Sequence, residues 1–179
     1  MRAERKNGWV VLRFQADEAG LIQAVLRTLA AEYAMPPAEL DASVAAVWYS
    51  TRGCQTAGLD RAQTAEWIAH LHQDKAGRAA QLRQWAEALD PAHAEGRVLR
   101  VRPADAQMLM MAINDHRLSL AARHGLGEAE MNIRTLESFL ALRPEQRAAL
   151  AQIEILAWLV EALVRLISPE AGDWSGAME

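Results

Sequence analysis

Apolar and polar positions alternate over Trp9 to Phe14 (WVVLRF), placing Val10, Leu12 and Phe14 on one face, which predicts a strand. After Asp17, read as an N-cap, the period changes to three and four residues. Leu21, Ile22, Val25, Leu26 and Leu29 mark an amphipathic helix that stops before Pro36 and Pro37. Leu40, Val44, Val47 and Trp48 carry the same spacing into a second helix. Small polar residues and two glycines then predict a loop over Ser50 to Gly58. Helical spacing returns from Asp60 to Leu89, with Gly77 as a point of division and Pro91 and Gly96 as the close. Arg97 to Arg102 (RVLRVR) is a second strand, followed by a long helix over Ala104 to His124 with Gly125 as its C-cap. A helix of about ten residues near Ile133 to Leu140 comes next. A final helix runs from Pro144 to Ile167, its core face Ala149, Ile153, Leu156, Val160, Leu163 and Ile167.

The stretches VLRFQADEAGLIQAVL from Val11 and VLRVRPADAQMLMMAI from Val98 each run strand, turn, helix, and pair Leu12 and Phe14 with Leu99 and Val101 as inward residues. Two strands in an otherwise helical chain leave rows of backbone donors and acceptors for which each other is the cheapest partner. The expected fold is therefore mainly α, a single-domain bundle of about six or seven helices with a small two-stranded β ribbon, parallel or antiparallel. The helical domain should span residues 1–168, and 169–179 should form a flexible tail in which Trp174 buries nothing unless the tail docks.

Composition narrows the function classes. Hydrophobic residues make up 51% and charged residues 23%, the balance of an ordinary globular domain. Neither a signal-peptide core nor an uninterrupted membrane-length apolar run is present, so a cytoplasmic protein with no membrane partner is expected. One cysteine, Cys54, allows neither an internal disulfide nor a multi-cysteine metal site. The net charge is −4, and the bases are scattered along the chain rather than gathered in a run, which argues against a nucleic-acid partner. Nearly all of them are Arg, with only Lys6 and Lys75 as lysines.

The candidate chemistry lies in Met111 to Gly125, MAINDHRLSLAARHG, where charges interrupt a helix that is apolar on nearly every face. Such a helix is central in its domain, and a buried charge needs a partner. Asp115 can reach Ser119, and Arg117 or Arg123 can reach Glu161 within the apolar run of the last helix. The structural reading is a buried polar network of Asn114, Asp115, Arg117, Arg123 and Glu161 that seats the central helix against the last one. The functional alternative makes Asp115 and His116 an acid/base pair, or joins them with His124 and Glu161 in a metal site. His116 and His124 stand too far apart for zincin or di-iron spacing. No catalytic residue, cofactor or metal ligand is assigned. His70 and His72 fall on different sides of a helix and read as surface residues, Cys54 as a plain thiol, and Met108, Met110 and Met111 as core filling or an adaptable groove.

GWVVLRFQADEAGLIQAVL, MLMMAINDHRLSLAARHGL and EILAWLVEALVRLI together resemble a small bacterial domain-of-unknown-function family often encoded beside the ClpS protease adaptor. Asn114, Asp115, Arg117 and Leu118 match its Asn-Asp-x-Arg-Leu core, and Arg123 its Arg-x-Gly, while Thr51 to Glu95 lacks the expected acidic loop. The resemblance implies a mainly helical fold and no established activity. The leading expectation is a cytoplasmic protein acting through protein-protein interaction, with a link to regulated proteolysis, or through self-association into a homo-oligomer. The alternative is a small-molecule binder or enzyme using the Asp115, His116 and Arg117 cluster. An enzyme should show that cluster lining a solvent-reachable pocket, and a binding protein should show it packed and satisfied.

Overall fold

The computed structural model describes residues 1–90, 97–133 and 135–168. The chain opens with a hairpin, β1 (Arg2–Lys6) and β2 (Trp9–Arg13), which the sequence reading lacks. Asn7 and Gly8 join the strands with φ of 50° and 79°. Two consecutive positive φ angles give the turn whose twist matches that of the strands it connects, and Asn-Gly is the pair that tolerates them best. β3 (Val98–Val101) lies antiparallel against β2, so the expected two-stranded ribbon is a three-stranded sheet in the order β1-β2-β3.

Among the described residues, eight α-helices complete the fold. They are α1 (Ala16–Ala34), α2 (Ala42–Trp48), α3 (Arg52–Thr56), α4 (Arg61–Ala88), α5 (Pro103–His124), α6 (Glu128–Met131), α7 (Leu136–Ala141) and α8 (Pro144–Ile167), with one 3-10 turn at Pro37–Glu39. The fold is mainly α, as the period analysis expects. Several details differ, and the helix of about ten residues expected near Ile133 to Leu140 is the six-residue α7. Gly77 does not divide α4, which runs for 28 residues; a helical glycine costs only about 1 kcal/mol against alanine, too little to break a helix packed along α1. The expected loop after Ser50 contains α3, pinned by the buried Cys54 and closed at Gly58, φ +70°. α1 starts two residues earlier than Asp17 implies, because the Glu18 carboxylate accepts the Gln15 N–H at 2.8 Å. Pro91, Gly96 and the tail expected over 169–179, Trp174 included, fall outside the described residues.

Leu12 and Leu99, paired across β2 and β3, both point into the core. The spacing that separates them also separates the helix starts Ala16 and Pro103. Each of these strands therefore leads into a helix of one half of the core, α1 packing on α4 and α5 on α8. The inward faces meet in one cluster that includes Val10, Leu26, Leu29, Tyr33, Leu82, Leu109, Ile113, Ile153 and Leu156. α2 packs across α5 and brings Trp48 toward its midpoint.

Candidate functional site

Asp115 is the centre of the charged segment, and its partners come from three other helices. The Tyr33 hydroxyl of α1 donates to Asp115 Oδ2 at 2.6 Å, and the Lys75 ammonium of α4 pairs with the same oxygen. Lys75 lies between two rings, 4.8 Å from the Tyr33 centroid and 4.7 Å from that of Trp48, which meet edge to face. An ammonium over aromatic faces keeps part of the electrostatic stabilisation it loses on leaving water, and a carboxylate in contact supplies more. Hence Lys75 is only 8% exposed and still paired.

The backbone of the same residue is also held. The Asp115 carbonyl accepts the Trp48 indole N–H at 3.0 Å and the Ser119 hydroxyl at 2.9 Å. Ser119 thus reaches the main chain of Asp115, where a contact with its carboxylate was expected. Burial, the Asp115 charge and the hydrogen bond to it together push the Tyr33 hydroxyl far above its ordinary range, so it acts as a donor at any physiological pH. Burial, followed by the charge of Asp115, also raises the buried Tyr49.

The remaining residues of the expected network separate. Arg123 pairs with Glu32 of α1. Glu161 sits on the outer side of α8 and pairs with Arg165 one turn on, so its expected contact with Arg117 or Arg123 is not formed. The reason is angular: Leu156, Leu159 and Leu163 occupy the buried side of α8, and Glu161 falls outside that arc. Asn114 is exposed and accepts from Arg117 Nη1 at 3.3 Å. His116 is buried, and its Nε2 lies 3.2 Å from the Gln152 amide of α8. Desolvation, with a smaller contribution from Arg123, lowers its pKa to about 4, so the ring is neutral.

Chemically, the Asp115 carboxylate is already engaged by a phenol and an ammonium, and its side chain is 21% exposed. Among the described residues, no group of three His, Cys, Asp or Glu side chains is placed to hold a metal ion. No helix among the described residues is long and apolar enough to cross a membrane. Sequence reasoning missed Tyr33, Trp48 and Lys75. One signal was present: Lys75 is one of two lysines in a chain whose other bases are arginines, and it falls in mid-helix.

With the geometry in place, comparison with known proteins finds one family: a model described as Domain of unknown function (DUF2017) matches residues 1–167. No curated protein and no solved structure matches.

Proposed function

Since the chain belongs to the domain-of-unknown-function family DUF2017, with Asp115 enclosed by its own fold, we propose that it is a cytoplasmic protein-interaction module without catalytic activity. The carrying observation is the engagement of Asp115 by Tyr33 and Lys75, with Trp48 and Ser119 on its carbonyl. A carboxylate so held has little freedom to take a proton from a substrate. The role of the cluster is to hold α1, α2, α4 and α5 in one arrangement.

What that arrangement presents is apolar surface on neighbouring helices. Met111 and Leu118 of α5, Ile155 and Trp158 of α8, and Leu136 and Leu140 of α7 are exposed. Single exposed apolar residues are ordinary, but Trp158 is exposed and borders a hollow of about 600 Å³ between α8 and β1 with Ala162 and Leu166, and such a Trp is a recognisable anchor for protein contact. The ClpS neighbourhood that the family resemblance implies makes a component of a regulated protease the first partner class to try.

The test is multi-angle light scattering of the full chain, alone and mixed with candidate protease adaptors, for the native sequence and for Trp158→Glu and Met111→Glu. A complex of defined mass lost in these variants, with melting unchanged, supports the module. A monomer that binds no protein yet turns over or binds a small molecule in an Asp115-dependent manner would replace this reading with the enzymatic one.

A further inference from the structure

Folding gathers charges that are scattered in the sequence. The hairpin register sets Arg2, Glu4 and Lys6 of β1 opposite Arg13, Val11 and Trp9 of β2, and β3 sets Arg100 and Val98 opposite Val11 and Arg13. Partners directly opposite share a face, and the residues alternating with these on β2 and β3, Val10, Leu12, Leu99 and Val101, point into the core. The outer face of the sheet therefore carries Arg2, Lys6, Arg13 and Arg100, with Arg102 just past the end of β3, all exposed; Lys6, Arg13, Arg100 and Arg102 border the hollows at Trp9, and Arg2 lies at the far end of the hairpin. Glu4 is acidic on this face and pairs with Arg13 at 3.4 Å; Asp105 lines one of the hollows that Trp9 borders, Glu161 of α8 lines a hollow with Arg2 and Arg13, and Arg100 has a partner of its own. In a chain of net charge −4 this face is a local reversal of sign.

Trp9 gives the face a second character. The residue is 38% exposed, with the Arg102 guanidinium 5.8 Å from the ring centroid. Two hollows meet at it. One of about 300 Å³ lies over Val11, bordered by Lys6, Arg13 and Arg100. The other, about 510 Å³, lies between the sheet and α4, bordered by Gln81, Gln84 and Trp85. Both are lined by Trp9 and Arg100.

We propose that this outer sheet face binds single-stranded nucleic acid, with bases stacking at Trp9 and phosphates held by the surrounding Arg and Lys side chains. An exposed indole between hollows, ringed by cations, combines the stacking platform and electrostatic attraction that unpaired strands require. A duplex would keep its bases from the ring. An acidic polypeptide would satisfy the cations but leave the indole and its hollows without a role.

The experiment is fluorescence anisotropy of labelled oligo-dT and oligo-U, each about twelve nucleotides, within the usual span of such sites, titrated with the full chain at several salt concentrations. Binding should weaken steadily as salt rises, in proportion to the phosphates neutralised. Trp9→Ala should weaken it about tenfold, as loss of one stacking contact does. Arg2→Glu with Lys6→Glu should weaken it at least tenfold and flatten the salt dependence, about one unit of slope per lost phosphate contact. Arg61→Glu, on α4 away from the sheet, should change little, and thermal melting checks that every variant is folded. No binding at low salt overturns the proposal. So does displacement of the oligonucleotide by polyglutamate as readily as by unlabelled strand, with Trp9→Ala indifferent, which would assign the face to an acidic polypeptide.

Discussion

Lys75 and Asp115 meet between the rings of Tyr33 and Trp48, so the chain's one buried lysine is neutralised by a residue of the charged segment from a helix 40 positions away. Four helices contribute to this contact, and each of its polar members has a partner. Removing one side of a buried pair costs more than the pair contributes, because the survivor keeps its desolvation penalty.

Asp115→Ala should therefore lower unfolding free energy by about 3–5 kcal/mol, while Lys75→Met combined with Asp115→Leu should lose distinctly less than the single variant. Urea denaturation of Asp115→Ala and of the double variant measures this. A melting temperature unchanged in Asp115→Ala would remove the structural role given to the cluster.

Trp48 separates the hydrogen bond from the packing. Phenylalanine there keeps most of the ring under Lys75 but loses the N–H that reaches the Asp115 carbonyl. The expected loss is about 1 kcal/mol, against about 3–5 kcal/mol for Trp48→Ala. Equal losses in both would show that the indole N–H contributes nearly everything and that the packing estimate is wrong.

His116 predicts a pH dependence. Its folded pKa, about 4, lies below the ordinary 6.5, so below pH 6.5 the unfolded chain binds more protons and stability falls as pH falls. The loss should begin near pH 6.5, steepen to roughly 1.4 kcal/mol per unit, and end near pH 4. Glu18, lowered mainly by its hydrogen bond to the N-terminal ammonium, and Asp41, lowered by that from the Ser43 hydroxyl, add losses only below their ordinary 4.5 and 3.8. His116→Gln should flatten the curve between pH 5 and 6.5; an unaltered slope there would mean another group titrates.

The two ion pairs that replace the expected Glu161 contact should differ in weight. Glu161→Ala breaks an exposed pair within one helix and should cost less than about 0.5 kcal/mol. Glu32→Ala leaves Arg123 without its carboxylate at the edge of the core and should cost about 1–2 kcal/mol. Chemical denaturation gives the order, and a larger effect from Glu161 would return it to the network.

Gly125 holds φ +60° at the end of α5, while the Leu126 N–H reaches back to the Ala121 carbonyl at 2.9 Å. Only glycine occupies that conformation freely. Gly125→Ala should cost about 1 kcal/mol, and Gly125→Asn, which tolerates the same conformation, should cost less; a stabilising alanine would show that the cap relaxes.

The long periodic segments were readable from the sequence, and so were the Gly125 stop and the inward placement of Leu12 and Leu99. β1 was not, because RAERK has no apolar alternation; an edge strand holds only one neighbour and needs none. Its signal was the turn, Asn7-Gly8, whose dipeptide is a hairpin cue in its own right. At the candidate site, helical spacing identified Asp115 as a residue in need of partners but could not supply them. Tyr33, Trp48 and Lys75 lie on helices whose approach to α5 depends on packing across the whole core, and no local period encodes that. Glu161 failed for the complementary reason: position within an apolar run does not say which way one residue faces.

The enclosure of Lys75 also bears on reagents. The chain has two lysines, Lys6 exposed on the hairpin and Lys75 covered by two rings and a carboxylate. Of the two lysines, amine-directed chemistry on the folded protein should therefore reach only Lys6. Whatever slower modification Lys75 undergoes becomes a clock for the rate at which α1, α2 and α4 open away from α5.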